Sequence, residues 1–230
     1  MTLTLDRPTY NTLDPGFAGR LAEACRAATE RPEVRVLHLR SAARSFCAGV
    51  SLETLRDWEN ADLDSLERLN AAIEGLPAIT LAEISGACVG AGLGLALACD
   101  LRIAAHEARF GVPEAPAGVV PLGDSLRRLA AVAGAGTAFR LFATAELVGG
   151  REAATLGLVA WSVPRRELPS RAAALARRIA ALPKSTLLAA KAQIAGRAPA
   201  SERQVMAMAL ADLDAQDRFA VLLKEGRART

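Results

Sequence analysis

Two short turns carry the residues best suited to chemistry in this 230-residue chain: Phe46-Cys47-Ala48-Gly49-Val50 and Ser85-Gly86-Ala87-Cys88-Val89-Gly90-Ala91-Gly92. Each follows an apolar run and leads into a helical segment. At such a junction the first backbone N–H groups of the helix have no intrahelical acceptor and sit at the positive end of the helix dipole. Small residues let a ligand oxygen come close to them. Two turns of this kind placed side by side could aim two N–H donors at one developing oxyanion. The bland alternative is a pair of ordinary strand-to-helix turns, since one glycine-rich turn alone is weak grounds for a site.

The elements that would hold these turns can be read from periodicity. Residues 2–6 and 34–39 suit strands, and 15–31 a helix with Leu21, Ala24, Cys25 and Ala28 on one face. The charge-dense stretch 52–75 suits a helical excursion followed by an amphipathic helix. Apolar strands are expected over 79–84 and 101–105, with a short apolar helix over 93–99 between them. Residues 113–121 form a Pro/Gly-rich loop, 125–133 and 149–157 helices, and 158–163 a strand. From Pro169 the pattern is helical, with breaks at Pro183 and over 196–199. The alternation of strand, helix and glycine turn predicts an α/β fold.

Several stretches, in this order, resemble the enoyl-CoA hydratase/isomerase (crotonase) superfamily. Arg7-Pro8…Asn11-Thr12-Leu13 is similar to its R-P-x-x-N-x-L opening, and Phe46-Cys47-Ala48-Gly49-Val50 to its F-C-A-G-x element. Gly86…Gly90-Ala91-Gly92-Leu93-Gly94-Leu95-Ala96…Cys99-Asp100 resembles its glycine-rich element, and Phe110…Pro113-Glu114…Gly118…Pro121 its F-x-x-P-E…G-x-x-P segment. The resemblance implies a crotonase-like spiral of ββα units over 1–168 and a helical C-terminal oligomerisation region over 169–230, assembling as a homotrimer or hexamer. It implies an oxyanion hole made by the N–H groups of Val50 and Ala91, the second provided that Ala91 keeps a negative φ. The substrate implied is an acyl-CoA or acyl-carrier-protein thioester, with coenzyme A entering as part of the substrate and no separate cofactor.

The same resemblance places acid/base chemistry on Glu114. A second glutamate, which family hydratases carry just after the glycine triplet, falls on Gly94. One carboxylate suits a proton shuttle, taking a proton α to the thioester and returning it elsewhere, more naturally than it suits hydration, which asks for two proton-handling groups. Double-bond isomerisation or hydration/dehydration is therefore the expected reaction, and a catalytically idle scaffold of the same fold is the alternative. Glu83 and Asp124 are candidates for a second acid. Glu83 stands in an apolar strand, where burial without a cation would raise its pKa; otherwise it pairs with an arginine on the opposite face. Asp124 either serves the site or caps the helix that follows. Trp58 and Leu122 are the candidate acyl-pocket residues. The lysine that some relatives place after the first turn is replaced by Ser51-Leu52-Glu53, leaving Arg56, Lys224 or Arg227 to grip a CoA phosphate.

Composition narrows the classes further. A net charge of +3, from 28 basic and 25 acidic residues interspersed along the chain, is no signature of nucleic-acid binding. Four cysteines without a C-x-x-C pair and only two histidines supply a metal site poorly, so none is expected and the thiols read as buried filler. No uncharged apolar stretch reaches the ~18 residues of a membrane span, and the N-terminus lacks the pattern of a secretion signal, so a cytoplasmic location is expected.

Overall fold

The computed structural model describes residues 1–196 and 201–227. The first half lays down strands and helices in alternation: β1 (Thr2–Leu5), α1 (Pro15–Thr29), β2 (Val36–Ser41), α2 (Leu52–Leu55), α3 (Asn60–Glu74), β3 (Ile79–Ile84), β4 (Ala87–Val89), α4 (Ala91–Leu97), β5 (Leu101–Ala105) and β6 (Arg109–Gly111). A 3₁₀ turn over Ala115–Ala117 follows, then α5 (Ser125–Ala133), α6 (Ala135–Thr144), β7 (Val148–Gly149), α7 (Gly150–Thr155) and β8 (Trp161–Val163). The rest is helical: α8 (Leu168–Ala180), α9 (Lys184–Ile194), α10 (Glu202–Leu210) and α11 (Leu213–Arg227).

The strands form two sheets. A parallel one runs in the order β1-β2-β3-β5-β8, and a small one in the order β4-β6-β7, with β4 and β6 parallel and β7 antiparallel. Parallel strands covered on both faces should be largely apolar, and β3 is so with Ile79, Leu81, Ala82 and Ile84 buried, while its Thr80 is buried and bonded to Asp100 and its Glu83 is only partly buried. Of the few aromatics, Phe46 and Phe110 are fully buried in the core. Among the described residues no helix is long and apolar enough to cross a membrane.

Local chemistry accounts for the element ends that matter. The carboxylate of Asp14 accepts from the Phe17 N–H at 2.7 Å and Pro15 opens α1, a side-chain cap followed by a residue preset for helical φ. The strand expected at 34–39 lies two residues later, because Val34 N–H donates to the Arg31 carbonyl (3.0 Å) in a turn that delays it. The helix expected to start at Leu93 starts at Ala91, which makes Ala91 its first helical residue. Helix α6 and the two- and three-residue strands of the small sheet were not foreseen. Behind the main sheet, Lys191 of α9 reaches the Asp100 carboxylate at 2.9 Å and the Leu76 and Ala78 carbonyls at 3.1 and 3.0 Å. Asp100 in turn accepts from the backbone and hydroxyl of Thr80, so α9 is tied to the start of β3 and the end of α4.

Candidate active site

The turn 46–50 is fastened from both sides. Phe46 N–H donates to the Ser85 carbonyl (2.8 Å), Cys47 N–H to Ala87 (3.1 Å), and Val89 N–H back to Cys47 (3.2 Å), so the turn runs as an extra strand along β4. On its other side Ala48 N–H donates to Tyr10 and Leu13 N–H to Gly49. The anchor is Asn11, which is fully buried at φ 51°. Its side-chain amide donates to Ser41 Oγ, Ser45 O and Phe46 O at 2.8, 3.1 and 3.0 Å, while its Oδ1 accepts from Arg7 N–H at 2.7 Å. Asparagine tolerates the left-handed region better than most side chains, and here that conformation aims its amide at three carbonyl and hydroxyl oxygens of the facing loop.

Glycines then bring the two turns together. Gly49 has φ +82°, and a Cβ there would stand 3.0 Å from the Val89 carbonyl and 3.6 Å from Ala91 N. Gly92 admits the Cys47 carbonyl so closely that a Cβ would meet it at 2.3 Å. Among the described residues neither Val50 N–H nor Ala91 N–H donates a hydrogen bond within the chain. Ala91 is absent from the residues of positive φ, so its alanine side chain imposes no strain on the donor. The fold thus sets two unused donors on neighbouring turns, one of them the first N–H of a wholly buried helix.

Glu114 approaches the same spot from the end of β6. Gly90 N–H donates to the Gly111 carbonyl (3.0 Å), which joins the two segments. A Cβ on Gly90 would stand 2.1 Å from Glu114 Oε1, so the carboxyl group rests against the residue preceding Ala91. Oε2 of Glu114 is buried without a hydrogen-bond partner. Burial pushes the carboxyl up to about 7, a rise only partly offset by a backbone N–H. A carboxyl held there exchanges a proton readily near neutrality.

The other expected site residues lie as follows. Glu83 does not pair with an arginine: its Oε2 is 2.9 Å from His38 Nε2, a close contact without the alignment of a hydrogen bond. His38 lines a cleft of about 570 Å³ against α8, with Met1, Val36 and Ala176, and no residue of the two turns lines it. Asp124 makes no cap hydrogen bond, contrary to the capping reading; it sits at φ +60° and pairs with Arg127 and with Arg128, the latter at 3.7 Å. Trp58 and Leu122 are half-buried and pack on the edge of the core. Arg56 is exposed beside Asp57, and the side chains of Lys224 and Arg227 lie outside the described residues. The cysteines are buried and free, with burial pushing Cys47 and Cys99 up to about 12.

One residue near the site was not foreseen. Gly94 leaves room for Ser125, whose Oγ would meet a Cβ on Gly94 at 2.2 Å. Ser125 is completely buried and donates to the Leu122 carbonyl at 2.5 Å. Its loop is pinned by α3: Asn70 and Arg128 both donate to the Gly123 carbonyl, at 2.8 and 2.7 Å, and Arg128 pairs with Glu74 at 2.8 Å. No sequence signal marks a contact between two helices so far apart in the chain; the only hint is a glycine inside an apolar helix, which calls for a close neighbour.

Comparison with known proteins places the chain among relatives of one family. The sequence profile described as "Enoyl-CoA hydratase/isomerase" matches residues 1–222. A probable enoyl-CoA hydratase echA17 of Mycobacterium avium is 35% identical over 196 residues, 84% of this chain and 76% of that one. The mitochondrial enoyl-CoA hydratase domain-containing protein 2 of Bos taurus is 36% identical over 171 residues, 72% of this chain and 58% of its own. Among solved structures, an enoyl-CoA hydratase from Bacillus anthracis superposes with a TM-score of 0.89 at 26% identity, covering 97% of this chain and 92% of that one. The profile match over nearly the whole chain, the relatives and the shared fold show it: the chain belongs to the enoyl-CoA hydratase/isomerase family.

Proposed function

We propose that the protein processes an acyl-CoA thioester, with Val50 and Ala91 N–H groups holding the thioester oxygen and Glu114 as the single general acid/base. The observation that carries this reading is the Glu114 carboxyl lying against Gly90, with its Oε2 buried and without a hydrogen-bond partner, next to the free N–H of Ala91. As the α-proton leaves, charge moves onto the thioester oxygen, so donors fixed at that point bind the transition state more tightly than the ground state. Each such donor is worth roughly 3 kcal/mol. Glu114 takes the α-proton and, now neutral, returns it to the same or to a conjugated carbon, with the double bond moving accordingly. Isomerisation, or hydration/dehydration with the same carboxyl serving in turn as base and acid, follows from this inventory.

The names of the relatives favour hydration as a second reading, and the CoA moiety itself follows from the family rather than from any cation at the site. A carrier-protein thioester fits the same donor pair. Exposed Phe139, Ile194 and Phe219 support self-association, the homotrimer or hexamer of the family.

Deuterium exchange at the α-carbon of a panel of acyl-CoAs in D₂O tests the proposal. Exchange that disappears in Glu114→Gln supports it. Equal exchange in both proteins removes Glu114 from the mechanism, and no exchange by the parent protein on any acyl group favours the idle scaffold.

A further inference from the structure

Gly90 and Gly94 are four residues apart in and before α4, joined by the Gly94 N–H to Gly90 carbonyl bond of 3.1 Å. They therefore mark one side of the helix, one turn apart. Over the lower turn lies the Glu114 carboxyl and over the upper turn the Ser125 hydroxyl, each where a Cβ would otherwise be, at 2.1 and 2.2 Å. This side of α4 carries no side chain of its own, and the two polar groups that cover it come from elsewhere in the chain.

We propose that Ser125 is a specificity-determining residue: by filling the space over Gly94 it restricts the site to one proton-transferring group. Its hydroxyl cannot replace a second carboxylate. An alcohol is far too weak a base to take a proton from water near neutrality, and its own proton is held by the Leu122 carbonyl at 2.5 Å. Complete burial, together with the Asn70 and Arg128 bonds that fix the Gly123 carbonyl two residues earlier, keeps it from turning aside. Adding water to an α,β-unsaturated thioester breaks a water O–H bond, joins the oxygen to the β-carbon, sends the π electrons toward the thioester oxygen, and then needs a proton delivered to the α-carbon. With one group for both protons, that reaction is slowed relative to proton movement within the acyl chain. This inference rests on the role proposed for Glu114.

The test is a set of variants assayed for water addition to a short trans-2-enoyl-CoA and for α-proton exchange. Gly94→Glu alone is expected to add nothing, because the side chain meets Ser125. Gly94→Glu with Ser125→Gly is expected to raise hydration about 100-fold, the scale of one added acid/base group. A stability readout stands beside it: Gly94→Ala should lower Tm, and Ser125→Gly should restore most of the loss. Equal hydration by Gly94→Glu with and without Ser125→Gly, no gain in a double variant that still exchanges the α-proton, or a Gly94→Ala loss that Ser125→Gly leaves unchanged would each overturn it. Loss of Glu114-dependent exchange in the parent protein would instead refute the function proposed above.

Discussion

Gly90 and Glu114 are a matched pair: the glycine lacks a Cβ at the very point, 2.1 Å away, where the glutamate places Oε1. Gly90 also has φ +56°, a backbone state that side chains rarely adopt. Gly90→Ala therefore imposes two penalties at once, a strained backbone costing about 1–3 kcal/mol and a displaced carboxyl. The expected result is a lower Tm together with a fall in α-proton exchange of about 100-fold or more, the usual scale for a misplaced acid/base group. Retention of full exchange would mean that Glu114 works from another position.

The raised pKa of Glu114 makes stability depend on pH. Its folded value of about 7 lies above the ordinary 4.5, so the native state holds a proton that the unfolded chain has already released between these values. Stability is consequently lost as pH rises through that window and is flat on either side of it. Glu114→Gln stays neutral throughout. Allowing for screening of a partly exposed carboxyl, the stability of this variant relative to the parent should increase by about 1–2 kcal/mol between pH 4 and pH 8, as read by urea denaturation at each pH. A constant difference would show that the carboxyl titrates normally.

Much of this arrangement could be read before the fold was known. Apolar runs announced β3 and β5, and the two glycine turns could be picked out as neighbours-to-be because small residues that permit close backbone approach stand out in a sequence. The second-acid candidates fared differently. Glu83 meets His38 only because β2 and β3 pair in a register that sets His38 opposite Leu81, two residues before Glu83 on the same face. Asp124 meets Arg127 and Arg128 because the helix that starts after it sets residues three and four along beside it, so its carboxylate pairs there. The small sheet escaped notice because its strands, such as Val148–Gly149, are too short to show a period.

Asn11 offers a test of how the first turn is held. Asn11→Ala leaves the Phe46 carbonyl without its buried side-chain donor, leaves the Ser45 carbonyl with the Ser41 hydroxyl alone, and puts a β-carbon-only side chain at φ 51°. A loss of about 2–4 kcal/mol is expected. Asn11→Asp should be worse, since a carboxylate would face the same oxygens that now accept from the amide. Chemical denaturation of both variants checks the order, and an aspartate variant as stable as the parent would show that the amide bonds contribute little.

The four thiols provide the last prediction. All are buried, and burial raises Cys25 to about 11 and Cys47 and Cys99 to about 12, with Cys88 also raised well above the ordinary value. The thiolate is the nucleophile, so near neutrality these groups are both inaccessible and protonated. The Cys47 thiol has a further restraint, donating to the Asn11 carbonyl at 3.1 Å. A thiol-specific disulfide reagent should therefore label none of them in the native protein within minutes at pH 8, and all of them in denaturant. Asn11→Ala, by loosening the loop that carries Cys47, should expose that thiol first; mass spectrometry of the labelled peptides identifies it. Rapid native labelling of Cys47 in the parent protein would contradict the tight packing of the two turns on which the donor pair depends.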